Sequence, residues 1–246
     1  MATKKKQAEK KAKAPRRQYL TAEGTKLPSV TTILGAAVAK PGLISWAAWV
    51  AAEATAEAIL DGFCDRDVAI AEGSKAPNSK RDGAADLGTR AHALVEAHYA
   101  GEDVQVEGLD VDVLMDCYHR AVRAISERWT VEQSEWGGVS ALGYGGTLDL
   151  LVIDNETQKR LLVDLKTGSY HPEAIAQLAA YRQLWQEHNP DKLIDGGAIL
   201  HVPVKGDTAD VIGISKESLD AGWVLFEAAK IVHGTLPKLV FDVGFH

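Results

Sequence analysis

Apolar positions recur at helical spacing through the first half of the chain and at strand spacing through much of the second. Short apolar or β-branched stretches flank Glu23-Gly24-Thr25 between Gln18 and Thr32 and suggest a small hairpin. Pro41 then opens an Ala-rich helical run from Leu43 to Leu60, in which Trp46 and Trp49 read as core anchors. Glycines and polar residues from Asp61 to Asp86 predict a broken or flexible connection. Helices are expected over 86–100 and 111–129, the second with Val113, Leu114, Cys117, Val122 and Ile125 near one stripe. After Thr130 the period shortens, and 131–140, 146–153 and 160–166 form a predicted strand meander. A helix over 172–188 starts on Pro172 and sets Ile175, Leu178, Tyr181 and Trp185 on or near one face. Residues 198–204 and 209–214 predict strands, and 216–234 an amphipathic helix. Strand, helix, strand implies a right-handed parallel crossover. The expected class is α/β (α+β), a mixed central sheet flanked by helices with an N-terminal helical extension.

Two of these strands carry charge where apolar residues should continue. Gly145-Gly146-Thr147-Leu148-Asp149-Leu150-Leu151-Val152-Ile153 is followed, after a short turn, by Leu161-Leu162-Val163-Asp164-Leu165-Lys166-Thr167-Gly168. Successive strand residues face opposite ways, so Asp164 and Lys166 share one face and Val163 and Leu165 take the other. If 154–159 closes a symmetric antiparallel hairpin, Asp149 stands opposite Asp164 at roughly 4.5–5.5 Å. Two carboxylates so placed need a proton or a cation between them, and hard divalent ions take oxygen ligands of this kind. The reading is a metal site with Lys166 beside it. A bulge would shift the register and remove the geometric part of that argument.

Composition narrows the picture. A chain of 246 residues can bury a substantial core. No apolar run approaches about 18 residues free of charge, and no secretory leader is visible, so the expectation is a cytoplasmic protein with no membrane partner. Cys64 and Cys117 stand alone, which argues against a disulfide framework or a paired-cysteine zinc site and for two buried small hydrophobes. Lys4, Lys5, Lys6, Lys10, Lys11, Lys13, Arg16 and Arg17 face only Glu9 in the first twenty residues, ahead of a strongly acidic body. That basic tail, 1–17, reads either as a solubilising segment or as one that touches nucleic acid through its phosphates. The remaining divisions are a hairpin and helical segment, 18–85, and a core, 86–246.

The βββαβ order with Asp149 and Asp164-Leu165-Lys166 resembles the PD-(D/E)XK nuclease superfamily, and within it the RecB-like exonuclease branch. Gly88-Thr89-Arg90-Ala91-His92 is similar to that branch's G-T-x-x-H motif, Gly146-Thr147-Leu148-Asp149 to its G-x-x-D, Asp164-Leu165-Lys166-Thr167-Gly168 to its D-x-K-T-G, and Gln177-Leu178-Ala179-Ala180-Tyr181 to its Q-x-x-x-Y. Leu27-Pro28-Ser29-Val30-Thr31-Thr32-Ile33-Leu34 and Lys40-Pro41-Gly42-Leu43 with Trp46 also resemble the opening of exonucleases from actinobacterial phages.

The resemblance implies a PD-(D/E)XK core at 86–246 and metal-dependent hydrolysis of DNA for phage recombination, repair or replication, in the bacterial host cytoplasm. His92, Asp149, Asp164 and the Leu165 carbonyl become the implied ligands of Mg2+ or Mn2+, and Lys166 orients water or neutralises the phosphate. The family's glutamate at the start of the sheet falls on Glu135 in preference to Glu132, the two being expected on opposite faces of one strand. Gln177, Tyr181, Arg90 and Thr167 are candidates for positioning the substrate. Arg90, with Lys75, Lys80 and Arg81, reads equally as a DNA-backbone contact or a solvated loop. Relatives with an iron–sulfur cluster use four cysteines, and this chain has two, so no cluster is expected. No Walker A motif occurs, hence no motor. Partners would be DNA ends, single- or double-stranded, with a recombinase or single-strand-binding protein as a further candidate. The alternatives are a structure-specific endonuclease using the same site and a catalytically silent DNA-binding recombination accessory.

Overall fold

The computed structural model describes residues 17–61, 65–103, 106–108 and 110–239. Residues 1–16 of the basic tail and Cys64 therefore lie outside the described residues, whereas Cys117 is buried, 1% exposed. The chain starts with a two-stranded hairpin, β1 (Tyr19–Leu20) and β2 (Lys26–Leu27), turning through Gly24 at φ 83°. The first helix, α1 (Val30–Ala37), was not expected. Its Val-Thr-Thr-Ile start favours a strand, but Ser29 Oγ caps the Thr32 N–H and burial of Val30, Ile33 and Leu34 outweighs propensity.

Next come α2 (Pro41–Leu60) and α3 (Arg66–Ala100), which pack on each other as an antiparallel-connected pair of neighbours in sequence. Here the sequence reading needs two corrections. The stretch expected to be broken is largely one continuous helix of 35 residues, with Pro77 inside it. Gly73 explains part of the error: a Cβ there would lie 1.9 Å from Thr55 Oγ1 and 2.7 Å from the Ala51 carbonyl, so this glycine serves helix contact and not chain breaking. Trp46 and Trp49 are not core anchors either, being 37% and 60% exposed. By length and composition α2 could cross a membrane, with mean hydropathy 1.3 over Gly42–Leu60, yet it carries Glu53 and Glu57, and Glu53 pairs with Lys80 of α3 at 3.1 Å.

After α4 (Val111–Arg128) the strands follow: β3 (Trp129–Ser134), β4 (Gly137–Ser140), β5 (Tyr144–Thr147), β6 (Leu150–Asp154) and β7 (Arg160–Lys166). Helix α5 (Glu173–His188), β8 (Gly196–His201), β9 (Asp210–Ile214) and α6 (Lys216–Thr235) complete the fold. The central sheet has the order β3-β6-β7-β8-β9, with β7 and β8 parallel and the other pairs antiparallel, while β4 and β5 form a separate ribbon. This is the expected mixed α/β arrangement. The predicted strands 131–140 and 146–153, however, each split between the two sheets, at Glu135 and at Asp149.

Alternation along β6 and β7 sorts the core. Leu151 and Leu162 face α1, α5 and α6, in a cluster with Ile33, Leu178 and Phe226. Leu150, Val152, Val163 and Leu165 face α3 and α4, with Val95, Cys117 and Ile125. Strand β7 is thus covered on both sides, and a charge placed at its middle is taken out of water.

Candidate metal and nucleic-acid site

The hairpin register settles where the carboxylates stand. Leu150 pairs with Val163 and Leu151 with Leu162, the symmetric register expected from the turn at 154–159. Pairing stops at Leu150, so Asp149 sits in the bend between β5 and β6 and not in mid-strand. From there its Oδ2 accepts the Leu165 N–H at 2.9 Å. Asp164 is 1% exposed; its Oδ1 accepts from Gln177 Nε2 at 3.0 Å, and Lys166 Nζ lies 2.7 Å from its Oδ2. Asp164 and Lys166 therefore share a face, as strand alternation requires.

Glycines at the motif positions let these elements close in. A Cβ on Gly146 would lie 2.6 Å from the Tyr181 ring, and one on Gly88 3.0 Å from Thr167 Oγ1. The first contact seats α5 against β5, bringing Gln177, which also donates to the Tyr181 hydroxyl at 3.2 Å, over Asp164. The second seats α3 against the end of β7, and His92, one turn further along, brings Nδ1 to 3.5 Å from Asp149 Oδ2.

Glu135 arrives by an unusual route. It follows the last residue of β3 with φ 50°, in the left-handed region disfavoured for a glutamate, and its N–H donates to the Asp149 carbonyl at 2.9 Å. His92, Glu135 and Asp149 each offer a ligand atom, all within 4.8 Å of one another. A cavity of about 10 Å³ lies among them, lined also by Glu96 and Leu165. That is room for one water-sized species, in a donor set of carboxylates and an imidazole, so the residues present fit a hard divalent ion.

Other candidates are placed elsewhere. Glu132, at a bulge in β3, pairs with Arg160 at 2.7 Å. Arg90 grips both Asp110 oxygens at 2.8 Å and the Glu107 carbonyl at 2.8 Å, which ties α3 to the segment before α4. Lys75 and Lys80 pair with Glu72 and Glu53 on the α2–α3 pair, and Arg81 contacts Asp82. Asp164 lines neither the small cavity nor the three-residue group. Two residues of the site were not singled out from the sequence. Arg17 pairs with Glu135, and its Nη2 lies 3.7 Å from Glu96. Glu96 was legible, since it falls four residues after His92 on the same helix face; Arg17 was absorbed into the basic tail.

The electrostatics are those of a crowded, half-dry cluster. Burial works against charge on His92, but Asp149 and, beyond it, Asp164 outweigh this and raise the imidazole to about 9. Burial pushes Asp149 up, yet His92 and Lys166 pull its carboxyl below the usual range. For Asp164 burial prevails: the Lys166 ammonium offsets part of it, Asp149 adds to it, and the carboxyl is raised. Burial likewise opposes the Lys166 charge, but Asp164 and Asp149 raise the amine above its ordinary value. Tyr181 is held well up, first by burial and then by the same two carboxylates, so its phenol stays protonated. Burial also lifts Glu135, against the pull of Arg17.

No protein-family model matches the chain, and no curated protein matches it. Among solved structures, a protein from Eubacterium rectale carrying the provisional name exonuclease superposes with a TM-score of 0.41 at 9% identity, over 65% of this chain and 77% of that one.

Proposed function

We propose that this chain is a divalent-metal-dependent DNA exonuclease of the RecB-like PD-(D/E)XK type, acting on linear ends in phage recombination, repair or replication within the bacterial cytoplasm. The observation that carries the reading is the Asp164–Lys166 ion pair at the covered end of β7, standing beside the His92, Glu135 and Asp149 donors. Desolvated charges of this number are costly to a fold and are retained where chemistry uses them.

His92, Glu135 and Asp149 would hold Mg2+ or Mn2+, with the Leu165 carbonyl and Asp164 as further donors; an imidazole makes Mn2+ more welcome than an all-oxygen set does. When bound, such an ion supplies Lewis acidity toward phosphoryl oxygens and water. Lys166, kept as an ammonium by its two carboxylates, is suited to neutralise phosphate charge or orient water and is ill suited to act as a base. Gln177 holds Asp164 and Tyr181 in place from α5. His92 must shed a proton to become a ligand, so cation uptake at neutral pH releases a proton to buffer.

The test is digestion of end-labelled linear DNA beside closed circular DNA with Mg2+, Mn2+ or EDTA, comparing the intact chain with Asp164→Ala and Lys166→Ala. Metal-dependent loss of linear DNA alone, abolished by both substitutions, is the expected result. Cutting of circles would replace the exonuclease with an endonuclease. DNA binding without hydrolysis under any ion would leave the accessory reading.

A further inference from the structure

Asp149, Asp164 and Glu135 are each held by a donor from another part of the chain. Asp149 Oδ2 accepts the Leu165 N–H at 2.9 Å, and Asp164 Oδ1 accepts from Gln177 of α5 at 3.0 Å. For Glu135 the donor is Arg17, whose Nη1 pairs with Oε2 across 118 positions of sequence. The Arg17 Nη2 lies 3.7 Å from Glu96, which lines the small cavity with His92, Glu135 and Asp149. An arginine on a surface acid is commonly of little consequence. This pair has only one end in water, the side chains being 55% exposed for Arg17 and 12% for Glu135. The way Arg17 is delivered matters more. Two residues on, the Tyr19 hydroxyl shares a 2.9 Å hydrogen bond with Thr147 Oγ1, and its ring lies over Gly145, where a Cβ would stand 2.3 Å from it. The Gly145 N–H donates to the Pro28 carbonyl just past β2, at 3.0 Å. Both ends of the hairpin are thus fixed to β5, and this docking sets Arg17 beside the cluster. Glu135 lies beyond Ser134, the last paired residue of β3, so strand alternation no longer sets where its carboxylate points.

Resting on the metal reading above, we infer that Arg17 is a positioning residue: it holds the Glu135 carboxylate toward His92 and Asp149, as Gln177 holds Asp164, and so makes the N-terminal hairpin part of the ion site. Position and charge act in opposite directions here. A guanidinium beside a ligand repels a divalent ion, so an arginine acting by charge alone would oppose binding and its removal would tighten it. An arginine that orients the ligand favours binding, and its removal weakens it.

Mn2+ binding to the full chain, measured by isothermal titration calorimetry beside thermal melts in EDTA, tests this without hydrolysis. Arg17→Ala is expected to weaken Mn2+ binding about tenfold or more, the usual loss when a partner that orients a ligand is removed. In EDTA the same variant should melt within about 4 °C of the parent, because the Arg17 end of the pair is half in water and Tyr19 still docks the hairpin. Arg17→Lys keeps a charged donor for Oε2 and is expected to recover part of the lost affinity. Lys26→Ala removes a cation of the same hairpin that pairs with none of the three donors, and should alter binding less than about twofold. In a Glu135→Ala background the effect of Arg17→Ala should shrink below about twofold, since the group it acts through is gone. Unchanged or tighter Mn2+ binding by Arg17→Ala, or a tenfold loss that persists without Glu135, would overturn the positioning role even in a protein that digests DNA. Weaker binding that depends on Glu135, in a protein that hydrolyses no DNA under any divalent ion, would keep that role and overturn the nuclease reading.

Discussion

The sheet end that carries the His92, Glu135 and Asp149 cluster and the α2–α3 pair use glycine in the same way and bury very different things. In the helix pair, Gly73 lets α3 lie against Thr55 and Ala51 of α2. What surrounds that contact stays wet: Ile44, Trp49 and Leu60 are 76%, 60% and 84% exposed, and the Glu53–Lys80 pair lies at the surface. At the sheet end, Gly146 admits the Tyr181 ring and Gly88 admits Thr167, and the groups so drawn together are Asp164, Lys166, Asp149 and His92. One region spends a close backbone approach on helix contact alone, the other on assembling charge away from water. A glycine's packing role therefore says little by itself about function; the titratable groups its contact brings together say more.

The sharpest way to break the comparison is to remove one charge from each region. Lys166→Ala leaves the Asp164 carboxyl buried without its cation, and a loss of about 3 kcal/mol in urea unfolding is expected together with loss of metal-dependent hydrolysis. Glu53→Ala removes an exposed partner and is expected to cost no more than about 0.5 kcal/mol. Comparable losses from the two would mean that the Lys166 ammonium is effectively solvated, and the contrast would fall.

A smaller effect separates packing from chemistry. Gly73→Ala and Gly146→Ala each force a Cβ into an occupied place, and each should cost about 1–3 kcal/mol. Only the second displaces Tyr181 and through it Gln177, so DNA hydrolysis under conditions where both variants remain folded should fall for Gly146→Ala and hold for Gly73→Ala. If both retain full activity, the seat of α5 on β5 does not set the position of Asp164.

How far the sequence carried differs between the two regions for the same physical reason. Around β6 and β7 the pattern has period two, the turn is short, and charge interrupts an apolar run, so register, faces and the Asp164–Lys166 contact could all be read from residues 149–166. The strand break at Asp149 and the kink at Glu135 could not, because they follow from the chain leaving one sheet for another, which local pattern does not record. In 61–86, glycine and polar content stood for a break, whereas tertiary contact along α2 keeps residues 66–86 helical. Trp46 and Trp49 were read by residue type, whereas α3 offers the Trp49 ring the Lys80 ammonium, 5.8 Å from its centroid, and both rings keep contact with water. Arg17 escaped because a basic run offers no mark that distinguishes its last member, and only the fold brings that residue to Glu135.

The smallest expected effect also has the opposite sign. Glu135 holds a left-handed backbone at φ 50°, which costs a glutamate about 1–2 kcal/mol and a glycine almost nothing. Glu135→Gly also loses the pair with Arg17, whose side chain is half in water, so that loss is the lesser term. In EDTA the variant is therefore expected to melt at or slightly above the temperature of the parent chain. In Mg2+ or Mn2+ the parent should gain stability by binding the ion and the variant should gain less, because one of three clustered donors is gone. Thermal melts of both proteins with and without the ion decide it. A variant that melts lower in EDTA would show that the kink at Glu135 is held by favourable contacts and is not a strain kept for the site. An equal gain from the ion in both proteins would remove Glu135 from the donor set and leave the bend at Asp149 without its partner.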